Sequence, residues 1–279
     1  MSTPVVVDTI AALRTELAGR TVALVPTMGA LHEGHLALVE RARELADVGV
    51  VSIFVNPLQF SPTEDLDKYP RDLSGDLAAL EPFDVAYVFA PTAAEMYPDG
   101  ASQTRITGGN VGTLYEGRSR PGHFDGVLTV VAKLLDIVEP AFVVFGQKDA
   151  QQVFLVQRMV ADLNMRARVE VVDTVRAPDG LALSSRNRFL DEKELRAARA
   201  LSRALEAADS AADRGVDVVL AAAQSVLMDE HLVKLDYLKV VNPKTFLPVD
   251  DGYRGAARVL LAARVGTTRL IDNDLIYLN

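Results

Sequence analysis

Two closely spaced histidines are the side chains of this sequence best suited to phosphate chemistry. His32 and His35 follow the apolar run Thr21–Val25 and open a helical pattern over Glu33–Ala46. A spacing of three residues places both imidazoles on one face of a first helical turn. The free N–H groups and positive dipole end of a helix N-terminus bind phosphate. The segment therefore predicts a site where imidazoles stabilise charge that develops at a phosphorus atom.

A second polar segment, FGQKDAQQ at residues 145–152, also follows an apolar run and precedes a helical pattern. Lys148 carries a compact positive charge that suits a triphosphate. Asp149 would either cap the helix or meet a ribose or the shell of a magnesium ion. This segment predicts a second contact to the same phosphates.

A third segment, ALSSRN at residues 182–187, lies in a long polar loop. Its two hydroxyls, Ser184 and Ser185, and the guanidinium of Arg186 could form a clamp for an anion. Such a loop at a domain junction could close over a nucleotide and exclude water. The alternative is a solvated linker.

Uncharged hydrogen-bonding side chains follow the second apolar run, Val48–Val55. Asn56 and Gln59 in the segment FVNPLQF would lie at the carboxyl end of that strand. Amide groups there can form hydrogen bonds with the hydroxyl and carbonyl groups of a small organic acid. Asn56-Pro57 is equally compatible with turn formation.

Alternating strand and helix patterns over the first two thirds of the chain must position these side chains. They predict an α/β fold, with a Rossmann-like parallel sheet forming a nucleotide-binding domain over residues 1–175 and a smaller α+β domain over residues 176–279. Ligands in such sheets bind at the carboxyl ends of the strands. The predicted strands are Thr21–Val25, Val48–Val55, Val85–Phe89, Phe142–Phe145, Val169–Val175, Leu235–Val241, Ala257–Val265 and Thr268–Leu278. The predicted helices are Glu33–Ala46, Leu73–Leu80, Gly126–Val138, Asp149–Leu163, one beginning at Asp191 and stopping at Gly215, and Asp217–Met228.

The charge balance and the lack of cysteine exclude several classes of protein. The 279 residues include 29 Lys+Arg and 38 Asp+Glu, a formal net charge of −9, whereas a general nucleic-acid binder presents a basic face. With no Cys, a disulfide framework, a thiolate nucleophile and a zinc–thiolate site are excluded. No apolar run is long enough to span a membrane, and the N-terminus lacks a secretory signal pattern. We therefore expect a cytoplasmic protein with neither a nucleic-acid nor a membrane partner.

Together these segments resemble the pantoate–β-alanine ligase family, which belongs to the HxGH nucleotidyltransferases related to class I aminoacyl-tRNA synthetases. The resemblance rests on the stretches PTMGALHEGH, SIFVNPLQF, EDLDKYPRD, EGRSRPGHFDGVLTVV, FGQKDAQQ and DGLALSSRNRFL. They span most of residues 22–190 in the order typical of the family. The resemblance implies an ATP- and Mg²⁺-dependent ligation in which pantoate forms a pantoyl adenylate and releases pyrophosphate. The amine of β-alanine then displaces AMP, and the enzyme is expected to be a homodimer.

The resemblance also assigns roles to residues. The implied catalytic residues are His35, His32, Lys148, Ser184, Ser185 and Arg186. The implied ATP-binding residues are Met28, Gly29, Ala30, Leu31, His32, Glu33, Gly34, His35, Gly146, Gln147, Lys148, Asp149, Val175, Leu183, Ser184, Ser185 and Arg186. Pantoate would be held by Gln59, Gln152 and Asn56, with Tyr69 and Arg120 as neighbours, while His123 either orders its own loop or meets substrate.

Family members bind magnesium partly through acidic residues in the segment that holds Asp72 and Asp76. Here Gly75 stands where an acid is expected, so no protein ligand is assigned and magnesium is expected to arrive with ATP.

Two other functions remain open. One is a nucleotidyltransferase that acts on phosphopantetheine or nicotinate mononucleotide without ligation. The other is a catalytically silent module that binds nucleotide or tRNA. Uncharged Gln59 and Gln152 suit the hydroxyls of pantoate better than a substrate phosphate, and the net charge opposes tRNA.

Overall fold

The computed structural model describes residues 3–60, 66, 69–100 and 102–279. The chain divides into two compact units. The first contains the residues up to Gln147 together with Gln151–Asp173, and the second contains Lys148–Ala150 and Thr174–Asn279.

The first unit is built on a parallel sheet of six strands. These are β1 (Val5–Val7), β2 (Val22–Thr27), β3 (Val48–Ile53), β4 (Tyr87–Phe89), β5 (Phe142–Gly146) and β6 (Arg168–Val172). Their order is β1-β4-β3-β2-β5-β6, so the chain leaves β2 toward β3 and later returns to the other side of β2 as β5. The carboxyl ends of β2 and β5 therefore flank the topological switch point, where open α/β sheets bind ligands.

Apolar side chains cover both faces of this sheet. Leu24 and Val50 belong to one buried cluster, whereas the next residues along the same strands, Val25 and Val51, belong to another. Burial on two faces explains why these strands are continuous apolar runs in the sequence. The helices in this part of the chain are α1 (Ile10–Leu17), α2 (Glu33–Leu45), α3 (Leu73–Leu80), α4 (Ala93–Met96), α5 (Glu116–Ser119), α6 (His123–Val138) and α7 (Ala150–Asp162). Short 3₁₀ turns occur at Pro57–Gln59, Glu81–Phe83, Val111–Thr113 and Gln147–Asp149.

The second unit combines helices with an antiparallel sheet in the order β7-β8-β9. Its elements are α8 (Glu192–Ala198), α9 (Ala200–Ser210), α10 (Val216–Met228), β7 (Val233–Val241), β8 (Gly255–Val265) and β9 (Thr268–Leu278), with 3₁₀ turns at Ser185–Phe189 and Ala212–Arg214. Leu201, Leu205 and Leu261 lie in its buried core. The expected tight hairpin at Gly266 and Thr267 joins β8 to β9. A parallel α/β sheet followed by a smaller α+β unit confirms the predicted fold class.

Some element boundaries differ from the sequence prediction. The helix predicted as continuous from Asp191 is interrupted by a turn at Arg199, where ψ is only −18°. Helix α6 begins at His123, three residues before the predicted Gly126, because Gly122 at φ 79° forms its start. Strand β6 ends at Val172 rather than Val175. Strand β1 and helix α1 were not predicted, since β1 is only a three-residue strand at the edge of the sheet.

The described helices include none that is both long enough and apolar enough to cross a membrane.

Candidate functional site

The two histidines lie side by side at the carboxyl end of β2. His32 is the N-cap of α2, where its Nδ1 accepts a hydrogen bond from the backbone N–H of Gly34 at 3.1 Å. The ring centroids of His32 and His35 are 4.1 Å apart, at an interplanar angle of 40°. This confirms that both imidazoles share one face of the first turn. Because Nδ1 of His32 accepts, the neutral ring carries its proton on Nε2 and can donate it to a phosphate oxygen.

The loop between β2 and α2 is held by a residue that sequence reasoning did not place there. Both carboxylate oxygens of Asp76 accept backbone hydrogen bonds, from Ala30 N at 3.0 Å and from Leu31 N at 2.7 Å. Asp76 is only 4% exposed. The backbone N–H groups of Ala30 and Leu31, two residues that the family resemblance assigns to ATP binding, therefore already donate hydrogen bonds within the protein.

Gln59 lies after β3, the strand next to β2, in a buried network of amide groups. Asn56 Nδ2 donates to Gln59 Oε1 at 3.0 Å and to the carbonyl of Gly126 at 3.0 Å. Asn56 Oδ1 accepts from the Leu58 N–H at 3.3 Å and from the hydroxyl of Tyr97 at 2.9 Å. A carbonyl can only accept and a backbone N–H can only donate, so the orientation of the Asn56 amide is fixed from both ends.

This fixed amide determines what Gln59 can offer a ligand. Because Asn56 donates to Oε1 of Gln59, the Nε2 amino group forms the opposite end of the Gln59 amide. That end donates hydrogen bonds, as a carboxylate or a hydroxyl oxygen requires. Asn56 is fully buried, so its contact with Gln59 lies in the interior of the protein.

His123 contacts the backbone carbonyl of Gln59. Its Nδ1 lies 2.9 Å from the Gln59 carbonyl, and its Nε2 lies 2.9 Å from Arg120 Nη1. The carbonyl requires a proton on Nδ1, which leaves Nε2 to accept from the guanidinium. His123 therefore links the Gln59 carbonyl to Arg120, and both roles considered for it stay predictions.

The two adjacent glutamines of α7 differ in their surroundings. Gln151 is 5% exposed and donates to the carbonyls of Val111 and Leu114 at 2.7 and 2.9 Å. Its Oε1 accepts from the N–H of Glu116 at 3.1 Å. Gln152 is partly exposed, which makes it the better placed of the pair to meet a ligand.

Lys148 groups with the second unit, although it follows β5 by two residues. The Asn273 side chain on β9 donates from Nδ2 to the Lys148 carbonyl at 3.0 Å. Arg258 in turn donates to Asn273 Oδ1 at 2.6 Å. The backbone of Lys148 is thereby tied to the three-stranded sheet of its own unit.

The serine–arginine segment forms a short 3₁₀ turn within the second unit. Ser184 is the N-cap of this turn and its Oγ accepts from the Arg186 N–H at 3.2 Å. The N–H of Leu183 donates to the carbonyl of Val175 at 2.9 Å. Ser184, Ser185 and Arg186 are all partly exposed, so their side chains can be reached by a ligand.

The His, Asp and Glu side chains of the residues that the structure describes are potential metal ligands. Nowhere in these ranges do three or more His, Asp or Glu side chains come close enough together to hold a metal ion. The carboxylate of Asp76 accepts two backbone N–H groups instead. The arrival of magnesium with the phosphates of ATP stays a prediction.

Comparison with known proteins identifies the family. The family model described as pantoate-beta-alanine ligase matches residues 5–275. The chain is 61% identical over 257 residues to a pantothenate synthetase of Leifsonia xyli, covering 92% of this chain and 89% of that protein. It is 54% identical over 266 residues to the pantothenate synthetase of Mycolicibacterium smegmatis, covering 95% and 83%.

Solved structures agree along nearly the whole chain. A pantothenate synthetase from Thermus thermophilus has a TM-score of 0.93 at 47% identity and covers 98% of this chain and 99% of its own. A pantoate-beta-alanine ligase from Francisella tularensis, complexed with beta-gamma ATP and beta-alanine, has a TM-score of 0.80 at 35% identity, with coverage of 98% and 97%. By sequence and by structure, this chain belongs to the pantoate–β-alanine ligase family.

Proposed function

We propose that this protein condenses pantoate with β-alanine at the expense of ATP, through a pantoyl adenylate. The observation that carries the proposal is the arrangement at the ends of two neighbouring strands. The adjacent rings of His32 and His35 follow strand β2, and the oriented amide of Gln59 follows β3. Donors suited to phosphate and a donor suited to an organic acid thus share one edge of the sheet. The Francisella tularensis relative, solved with beta-gamma ATP and β-alanine, supports the same two substrates.

The first step joins pantoate to the α-phosphorus of ATP. A pantoate carboxylate is already ionised at pH 7, so no strong general base is needed. One carboxylate oxygen forms a bond to the α-phosphorus, and the bond from that phosphorus to the bridging oxygen breaks to release pyrophosphate. The enzyme contributes positioning and charge stabilisation. We assign the stabilisation to His32, His35 and Lys148.

The second step forms the amide. The ammonium group of β-alanine first loses a proton to give the free amine. The amine nitrogen then attacks the acyl carbon of the adenylate, AMP leaves with the bonding electrons, and the nitrogen loses a second proton. Gln59 and Gln152 would hold the pantoyl group through both steps. Ser184, Ser185 and Arg186 would bind phosphate oxygens, and closure of their loop over the nucleotide would protect the adenylate from water. The remaining residues of the implied ATP site stay predictions, as do Mg²⁺ arriving with ATP, the homodimer and the cytoplasmic location.

Pantoate-dependent ATP–pyrophosphate exchange tests the proposal directly. We expect labelled pyrophosphate to enter ATP only when ATP, Mg²⁺ and pantoate are all present. Addition of β-alanine should then release AMP and pantothenate in equal amounts. Transfer of AMP to phosphopantetheine or nicotinate mononucleotide, with no amide product, would indicate a nucleotidyltransferase instead. ATP binding without any exchange would indicate a silent nucleotide-binding module.

A further inference from the structure

We propose that Asp76 acts in catalysis as a positioning residue that fixes the phosphate-binding loop. Its carboxylate is 4% exposed and accepts the N–H groups of Ala30 at 3.0 Å and Leu31 at 2.7 Å. Leu31 directly precedes His32. These bonds therefore fix the backbone next to His32 and, with it, the position of the His32 imidazole. This inference rests on the proposed adenylation, in which His32 and His35 act on ATP.

The loop has the shape of an anion-binding turn, and Asp76 occupies it. Gly29 and Ala30 have φ angles of 83° and 53°, in the left-handed region that costs energy for a residue other than glycine. Successive amides in such a turn point into one concavity that attracts an anion. The contact is close, because a Cβ on Gly29 would lie 2.8 Å from Asp76 Oδ2. The negative charge in this concavity therefore belongs to the protein, and the phosphates of ATP would be bound by the histidines and the other proposed phosphate donors.

Asp76 is held in place because its own helix, α3, packs against the sheet. Leu80 on α3 is fully buried in the same apolar cluster as Val25 of β2 and Val51 of β3, and Leu77 packs against that cluster. The carboxylate is thus tied to the two strands whose ends carry the site. A loop held in this way has its catalytic shape before ATP binds.

A metal-binding role of Asp76 would appear in the Mg²⁺ requirement of the enzyme, whereas a positioning role would appear in the loop. Each Asp76 oxygen accepts one N–H group, from Ala30 or from Leu31, and the positioning role depends on these two bonds. Losing them would leave two backbone donors unsatisfied, and Ala30 is only 5% exposed. The positioning role and the metal role therefore predict different effects of the same substitution.

The test compares Asp76→Asn with Asp72→Asn in pantoate-dependent ATP–pyrophosphate exchange. In Asp76→Asn, the introduced side-chain amide would place an N–H donor against a backbone N–H donor, which disturbs the loop. Asp72 is the exposed N-cap of the same helix and accepts from Gly75 N at 2.9 Å. Because Asn caps a helix as well as Asp does, Asp72→Asn removes the same charge without moving the loop.

We expect Asp76→Asn to slow exchange at saturating ATP about 10- to 100-fold, as small displacements of a reacting group do. The Mg²⁺ concentration for half-maximal rate should stay within about 2-fold of the parent protein. Hydrogen–deuterium exchange of the peptide spanning residues 28–36 should be faster. Asp72→Asn should match the parent protein in all three measurements.

Three results would overturn the proposal. They are an Asp76→Asn rate equal to that of the parent, a half-maximal Mg²⁺ concentration raised 10-fold or more, and unchanged deuterium uptake over residues 28–36. If Asp76→Asn does not fold, Gly29→Ala replaces it in the test. The Cβ of the introduced alanine would push the loop away from the Asp76 carboxylate, which stays intact. This variant should also slow exchange without altering the Mg²⁺ requirement. If the parent protein shows no pantoate-dependent exchange, the proposed function fails, while deuterium uptake still decides whether Asp76 holds the loop.

Discussion

Replacement of Tyr97 by Phe should weaken pantoate binding although Tyr97 does not need to touch pantoate. The Tyr97 hydroxyl donates to Asn56 Oδ1 at 2.9 Å, and Asn56 Nδ2 donates to Gln59 Oε1 at 3.0 Å. Phe removes the first bond and keeps the ring, while Asn56 Oδ1 retains only the longer bond from Leu58 N at 3.3 Å. The Asn56 amide keeps its orientation through the Gly126 carbonyl and the Leu58 N–H, but without the tyrosine bond it holds the Gln59 amide less firmly.

The size of the effect follows from one neutral hydrogen bond. Such a bond contributes roughly 0.5–1.5 kcal/mol, which corresponds to a factor of about 2 to 13 in an equilibrium constant. We expect the apparent KM for pantoate to rise within that range, while the KM for ATP changes by less than about 2-fold. Burial raises the pKa of Tyr97 to about 12. The hydroxyl is therefore protonated at every pH well below that value, and the ratio of variant to parent KM should be constant between about pH 6 and 9.

Tyr87→Phe is the matched control. Tyr87 is 9% exposed and Tyr97 8%, and the Tyr87 hydroxyl also donates a hydrogen bond, to Glu16 at 2.9 Å. The control thus loses a buried hydroxyl outside the Asn56 network, together with its bonds to Glu16 and from Arg20 at 3.2 Å. The assay is pantoate-dependent exchange measured over a range of pantoate and ATP concentrations. An unchanged pantoate KM in Tyr97→Phe, or an equal rise in Tyr87→Phe, would refute the reasoning.

Other substitutions test the remaining parts of the site. His35→Ala should slow adenylate formation about 10²- to 10³-fold, with an unchanged circular dichroism spectrum, because it removes a donor that acts on developing charge; unchanged exchange would remove His35 from the mechanism. Gln59→Ala should raise the KM for pantoate about 10-fold or more and the KM for ATP much less, and the opposite ranking would reverse the assignment. Asn273→Ala removes the bond to the Lys148 carbonyl and should lower the exchange rate about 5-fold, whereas a loss of thermal stability alone would limit Asn273 to a structural role.

The sequence predicted those parts of the molecule that depend on neighbouring residues. The pairing of His32 with His35 follows from helical spacing alone, and the continuous apolar runs follow from burial on both sheet faces. The supports of the site could not be found in this way. Tyr97 reaches Asn56 across 41 residues, and Asp76 reaches Leu31 across 45. Neither contact leaves a periodic or motif signal in one sequence, because it depends on how the chain folds back on itself.

These distant supports also explain how a buried negative charge can lie next to a proposed phosphate site. Alone, the carboxylate of Asp76 would repel a triphosphate, but its charge is engaged by the N–H groups of Ala30 and Leu31. Asn56 and Tyr97 similarly orient the Gln59 amide inside the protein. In both cases the ordering of a group that would meet substrate is completed during folding, so less conformational freedom is lost when ATP and pantoate bind. Substitutions at the supports should therefore impair catalysis without removing any group that contacts a substrate.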